Sequence, residues 1–302
     1  MKRTMLLPLL PVITIWLLFS NCQSSVTTCD SESPNCVRDI LWVWGNPEMA
    51  EPGQHTAASF AQAGPAERAT ILGVPNIIMA GLGLPHDDRE AERLTEGVAH
   101  CPRLVWEIST DTGESELPFV YEETIGRVRR IAGQYPQIEG ILLDDMSSVG
   151  IDHGFKPEHI REVRRLLGPD HSQLKIWGVL YTMNFNREGI DKYIHELDII
   201  SLWTWHAKDV VDLEKNVVHC ERLYPDKPIV LGLYMYDYGD GRRMPMELLE
   251  QECRTALELA HAGRVQGIVF LTINNDPDAV TWVADWIAQV GNQPLGGSDR
   301  SR

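Results

Sequence analysis

Short runs of apolar, β-branched and aromatic residues alternate along this chain with longer stretches whose apolar positions recur every three to four residues. The short runs predict strands at Ile40–Trp44, Asn76–Ala80, Arg103–Ile108, Gly140–Asp144, Lys175–Tyr181, Ile199–Trp205, Ile229–Tyr236 and Gly267–Ile273. The longer stretches predict helices at Asp87–Ala99, Tyr121–Tyr135, Glu158–Leu167, Val210–Leu223, Met246–Ala262 and Asp278–Val290. Their ends carry matching signals. Acidic residues open the helix at Asp87, Pro157 and Pro245 occupy first-turn positions, and Gly168-Pro169 and Gly263 act as stops. A further helical stretch within Ala57–Leu72 is interrupted by Gly64-Pro65.

This strict alternation predicts an α/β fold, a parallel sheet closed into a single-domain (β/α)8 TIM barrel over residues 38–291. An open doubly wound sheet would carry a Gly-rich nucleotide turn after its first strand. Here that turn reads Trp44-Gly45-Asn46-Pro47, and Gly81-Leu82-Gly83-Leu84 lacks the third glycine.

The flanks read differently. Lys2 and Arg3 precede an apolar run, Met5–Phe19, shorter than the ~20 residues of a membrane span. Residues 1–25 are therefore expected to be a signal peptide or lipoprotein signal. Cys22 follows Leu18-Phe19-Ser20-Asn21, which resembles a bacterial lipoprotein box, although Phe19 and Asn21 depart from its small residues. Lipidation at Cys22, simple cleavage and an uncleaved anchor stay open, so the expected location is exported: periplasmic, extracellular or lipid-anchored to a membrane. Residues 26–37 read as a tether and 292–302 as a flexible tail.

Six cysteines suit an oxidising compartment. Cys29 and Cys36 are placed to close a small loop, and Cys220 and Cys253, on successive helices, to bridge. Buried thiols are the alternative. No cysteine or histidine spacing suggests zinc, and no metal or cofactor is expected. The formal net charge of −16, from 27 basic and 43 acidic residues, argues against nucleic acid as a partner.

In such a barrel, chemistry collects at the C-terminal ends of the strands. The candidate catalytic carboxylates are therefore Asp144 and Asp145 after strand four, Glu107 at strand three, and Asp237 after strand seven. Two adjacent acids ending the apolar run Gly140–Leu143 are costly near a dry interior unless used or paired. In an extended strand they face opposite ways, so one of the two is expected to face the site. Candidate substrate-binding residues at other strand ends are Trp44, Asn46, Tyr181, Trp203, Trp205, His206, Tyr234, Tyr236 and Asn274. Alternation places Tyr234 and Tyr236 inward on strand seven, and Ser201, Trp203 and Trp205 inward on strand six. Sugar rings stack apolar faces on such aromatic side chains, while carboxylates and amides take the hydroxyls. Trp42, Trp106 and Trp177, away from the strand ends, read as core packing.

The run Glu139-Gly140-Ile141-Leu142-Leu143-Asp144-Asp145 resembles the strand-four segment of polygalactosaminidase-like and chitinase-like barrels in the glycoside-hydrolase barrel superfamily. The resemblance spans about Ile40 to Val290 in architecture and is carried by this one short motif. Chitinase-like enzymes place a catalytic glutamate two residues beyond an aspartate of this strand, a position that, counted from Asp144, is Met146 in this chain. The Asn-Glu that marks enzymes using a glutamate pair on strands four and seven is absent as well. The resemblance implies a carbohydrate substrate and hydrolysis of glycosidic bonds by a carboxylate pair. Two rivals remain: a metal-dependent, sugar-isomerase-like barrel with Glu107, Asp145 and His206 as ligands, and a carbohydrate-binding barrel without catalysis.

Overall fold

The computed structural model of the protein describes residues 36–47, 50–81, 84–85, 87–108, 121–271, 273–274 and 276–296. Cys22, Cys29 and the whole export signal lie outside the described residues. The described strands are β1 Leu41–Gly45, β2 Asn76–Met79, β3 Leu104–Ile108, β4 Ile138–Leu143, β5 Lys175–Tyr181, β6 Ile199–Trp203, β7 Ile229–Tyr234, β8 Tyr236–Asp237, β9 Arg242–Arg243 and β10 Gly267–Leu271. All but β8 and β9 join one closed, parallel barrel in chain order, with β10 completing the ring against β1. The predicted TIM barrel is the observed fold. β8 and β9 form a short antiparallel ribbon above it, pairing Tyr236 with Arg243 and Asp237 with Arg242.

The surrounding helices are α1 Pro65–Leu72, α2 Asp88–Gly97, α3 Tyr121–Gln134, α4 Pro157–Leu167, α5 Ile190–Ile194, α6 Leu213–Leu223, α7 Met246–His261 and α8 Pro277–Val290. The Gly64-Pro65 break falls where the sequence places it: a 3-10 turn, Ala57–Gln62, ends just before it, and Pro65 opens α1. Among the described residues no helix is long and apolar enough to cross a membrane.

Alternation along the strands divides the apolar residues between two layers. Val43, Ile77, Trp106, Ile141, Leu231 and Phe270 pack outward beneath the helices. Trp42, Ile78, Val105, Leu142, Trp177, Val179, Val230 and Val269 fill the barrel interior. Trp42 and Trp177 meet edge to face there, with ring centroids 5.2 Å apart. Trp106 is held outside, its Nε1–H donating to Thr95 Oγ1 at 3.2 Å. All three tryptophans are core, as their distance from the strand ends predicts.

Five strands stop short of their predicted ends. β2 ends at Met79 rather than Ala80, β4 at Leu143 rather than Asp144, β6 at Trp203 rather than Trp205, β7 at Tyr234 rather than Tyr236, and β10 at Leu271 rather than Ile273. The apolar and aromatic pattern reports burial, and burial continues past the last ladder hydrogen bond into the loops.

The cysteine and flank expectations also change. Cys220 on α6 and Cys253 on α7 are unbridged thiols with no solvent exposure, although the two helices do pack together. Each fills apolar core volume, which pushes the Cys220 thiol up to about 12 and the Cys253 thiol well above its ordinary range. Cys36 and Val37, assigned to the tether, are buried instead. The Val37 N–H donates to Gln293 O at 2.9 Å and the Arg38 N–H to Gly291 O at 2.8 Å, so the start of the barrel is fastened to its last predicted residue and to Gln293, which was assigned to the tail.

Candidate active site

Leu142 and Asp144 share the inward parity of β4, so Asp144 follows the interior face upward into the mouth. The chain then turns sharply. Asp145 has φ 48° and ψ 14°, the single non-glycine residue with positive φ among the described residues. A left-handed aspartate costs on the order of 1 kcal/mol, and such strain concentrates at functional sites. One π-helical turn follows, Met146–Gly150.

The consequence contradicts the expectation that only one of these acids faces the site. The left-handed turn reverses the alternation and brings both carboxylates to the mouth. The Asp145 N–H donates to Asp144 Oδ1 at 2.8 Å, and the hydroxyl of Tyr181, an inward residue of β5, donates to Asp145 Oδ1 at 2.7 Å. The turn is braced from below. Ser147 Oγ accepts the Tyr181 N–H at 3.3 Å, and Asn184 Nδ2 and Arg187 Nη1 donate to Ser147 O at 2.7 and 3.0 Å.

Burial and the neighbouring Asp145 charge push the Asp144 carboxyl up to about 7, against the opposing pull of the Asp145 N–H. Burial also raises the Tyr181 and Tyr234 hydroxyls far above their ordinary range, and the charges of Asp144 and Asp145 add to it for both. These four side chains form one electrostatic unit. Both hydroxyls are neutral throughout the physiological pH range, and that of Tyr181 is the donor to Asp145.

An aromatic wall stands over the pair. Trp205 meets Tyr181 edge-on at 5.5 Å and Tyr234 at 5.9 Å. Tyr234 packs on Trp203 at 4.8 Å and on Tyr238 at 4.8 Å, and Trp203 meets Trp44 at 5.7 Å. Trp44, Trp203 and Tyr234 are buried, whereas Trp205 and Tyr238 keep part of their faces open. The inward assignment of strand six has a local reason: Trp203 Nε1–H donates to Ser201 Oγ at 2.8 Å. Gly232, opposite on β7, makes room for this ring, because a Cβ there would sit 2.0 Å from Trp203.

The other candidates separate into two groups. Glu107, 3% exposed, accepts the Gly81 N–H through Oε2 at 2.5 Å, and the Asn46 side chain packs against the same glycine. Glu107 lies near the end of β3, which is next to β4 in the ring, in register with Leu142 two residues before Asp144. Asp237 belongs to the ribbon. Its Oδ1 accepts the N–H groups of Ala207 and Asp240, both at 3.2 Å, and its Oδ2 pairs with Arg242 Nε at 3.2 Å. This carboxylate organises a loop. Tyr236 lies beyond β7 on the ribbon and, among the described residues, its ring meets that of Tyr238, 5.3 Å away. Asn274 follows Ile273 in the loop after β10, beside the point where the Ile273 N–H donates to the Tyr238 hydroxyl at 2.8 Å.

Glu107, Asp145 and His206 do not converge as a ligand set. Among the described residues the one group of His, Cys, Asp and Glu atoms near enough to share an ion is His206, Asp237 and Asp240, and Arg242 already pairs with both acids of that group.

Two residues of the mouth lay outside the predicted set. Tyr238 shares the alternation of β7 and was legible there, although not as a site residue. Arg68 carried no signal. It is fully buried beneath the end of β1, donating to the carbonyl oxygens of Ala61, Ala63 and Trp44 at 2.7, 2.9 and 3.4 Å. Burial lowers its guanidinium to about 10, with Tyr238 nearby opposing the shift.

No family model matches the chain, and no curated protein sequence matches it. The barrel is similar to the GH99 endo-alpha-mannosidase from Bacteroides thetaiotaomicron, with 10% identity and a TM-score of 0.53 over 83% of this chain and 97% of that one. It is also similar to active domain 2 of a thermostable chitinase from Pyrococcus furiosus, with 11% identity and a TM-score of 0.51 over 83% and 95% of the two chains. What this chain shares with those glycoside hydrolases is the closed eight-stranded parallel barrel.

Proposed function

We propose that this protein is a carbohydrate-active barrel enzyme that hydrolyses glycosidic bonds, with Asp144 as the general acid and Asp145 as the second carboxylate. The observation that supports this most is the Asp144–Asp145 turn, strained at Asp145, bound by Tyr181 and set under an aromatic wall. A general acid must be protonated at working pH and lose its proton readily, and a carboxyl held near 7 meets both needs. Asp144 gives its proton to the leaving glycosidic oxygen. Asp145, fixed by the Tyr181 hydroxyl, either steadies the positive charge developing on the sugar ring or activates water against it. The open faces of Trp205 and Tyr238 stack on the sugar, and Glu107 with Asn46 takes hydroxyls at the ends of β1 and β3. Export to the cell surface or beyond belongs to the same proposal, since it brings the enzyme to polymeric substrates.

The test is release of reducing sugar from a polysaccharide panel by wild type and by Asp144→Asn, Asp145→Asn and Glu107→Gln. The proposal expects turnover lost in the two aspartate variants and weakened in the glutamate variant, with folding retained. Full activity in both aspartate variants overturns it. Mass spectrometry of protein from its native host reads the N-terminus: a start between Cys22 and Thr28, or lipid on Cys22, is expected, and an intact Met1 in a soluble cytoplasmic fraction overturns the export reading.

A further inference from the structure

Three loops meet at the ribbon formed by β8 and β9. Asp237, 1% exposed, accepts the Ala207 N–H from the loop after β6 and the Asp240 N–H from its own turn, and Arg242 lies against its other oxygen. The Gly239 N–H donates to the carbonyl of Trp205 at 3.1 Å. Any Cβ at Gly239 would lie 2.1 Å from His206 Nδ1, so the ribbon approaches the Trp205–His206 segment as closely as a backbone can. The Tyr238 hydroxyl accepts the Ile273 N–H from the loop after β10. Tyr238 and Trp205, the two wall residues with open faces, sit 6.0 Å apart at a tilt of 35°. Neither belongs to a barrel strand, so the ladder does not fix their relative position. The ribbon does.

We propose that Asp237 is a positioning residue: through the 236–243 ribbon it locks Trp205 against Tyr238 and so sets which ring the mouth accepts. The inference rests on the carbohydrate reading for its ligand, but the lock is a property of the folded chain alone. A buried carboxylate that collects two backbone N–H groups and a guanidinium gives a loop one stable geometry. A preformed wall does not have to be ordered when the ligand arrives, and that saving appears in binding rather than in the chemical step.

The experiment uses the full chain and three variants: Asp237→Asn, Gly239→Ala and Trp205→Phe. Far-UV circular dichroism first establishes that each is folded, and Gly239→Ala carries the test if Asp237→Asn is not. Near-UV circular dichroism then reads the coupled Trp205–Tyr238 rings without any ligand, with Trp205→Phe marking the size of that signal. Asp237→Asn and Gly239→Ala are expected to lose most of it. With a cleaved oligosaccharide they are expected to raise KM about tenfold or more, to change kcat by less than about threefold, and to leave the pH profile in place. A collapse of kcat with a displaced pH profile would make Asp237 a participant in the chemistry and overturn the assignment. An unchanged near-UV signal with unchanged KM overturns it too. If EDTA alone reproduces the loss in wild type, a cation held by His206, Asp237 and Asp240 is the lock, and the role given to Arg242 and Asp237 falls. Should wild type act on no carbohydrate, the functional reading fails, while the near-UV comparison still decides the lock.

Discussion

The Tyr181 hydroxyl reaches across from β5 and donates to Asp145 Oδ1 at 2.7 Å, joining the strained turn after β4 to the barrel wall. A hydrogen bond to a charged acceptor in a partly dry site contributes about 1.5–3 kcal/mol. Tyr181→Phe removes that donor and keeps the ring against Trp205. Activity is expected to fall roughly 10- to 100-fold in kcat with little change in KM. Steady-state kinetics on a cleaved oligosaccharide check it, and an unchanged kcat would free Asp145 from the role given to it.

Asp144 sets the pH behaviour. A carboxyl raised to about 7 is protonated below that pH, so activity dependent on its proton is expected to fall as pH climbs through 7. The stability sign follows from the same shift. The folded chain holds the Asp144 proton between the ordinary carboxylate range and 7, whereas the unfolded chain releases it, so this residue's contribution to stability declines across that window and is lowest above it. Asp144→Asn should therefore melt higher than wild type at pH 8, by on the order of 1 kcal/mol once screening of the half-buried group is allowed for, and differ little at pH 4. Urea melts at the two pH values decide it.

Glu252 on α7 offers a second titration away from the mouth. It is 1% exposed, neither oxygen has a hydrogen-bond partner among the described residues, and burial raises its carboxyl well above the ordinary range. The neutral form is the folded form. Wild type should thus lose stability as pH rises from about 4.5, while Glu252→Leu should not, and the variant should be more stable at pH 8 by roughly 1–3 kcal/mol. Parallel curves for the two proteins from pH 4 to 8 would show that Glu252 finds a partner.

Gly232 tests the wall from behind. A methyl group there would overlap the fully buried Trp203 ring, whose Nε1 is tied to Ser201. Gly232→Ala is expected to cost about 1–3 kcal/mol in thermal or urea unfolding and to disturb Tyr234, which packs on Trp203. A variant as stable as wild type would mean that the indole has room to move.

The barrel was legible because each strand carries its own two-sided pattern: Val43 against Trp42, Leu231 against Val230, Phe270 against Val269. Such alternation repeats around the ring and needs no knowledge of partners. The mouth was legible only by position along each strand. Asp144, Asp145, Tyr181, Trp205 and Tyr234 came from the rule that strand ends meet, and the structure brings those five together. The orientation of Asp145 did not follow, because a left-handed aspartate has no sequence signature and the strand rule assigns it to the wrong face. Asp237 and Glu107 look like any other strand-end acids until their hydrogen bonds are known. Arg68 was invisible for the opposite reason: a charged residue in a helical stretch suggests solvent, and only the carbonyl oxygens it collects explain its burial.

The crossed indoles of Trp42 and Trp177 give the barrel a floor. For any ligand the interior is consequently a cul-de-sac, with one doorway serving for arrival and departure. A fragment left in the mouth bars the next molecule until it backs out. Its inhibition would be competitive, and if the wall grips an incoming ring as proposed, it would also govern how long a spent one lingers.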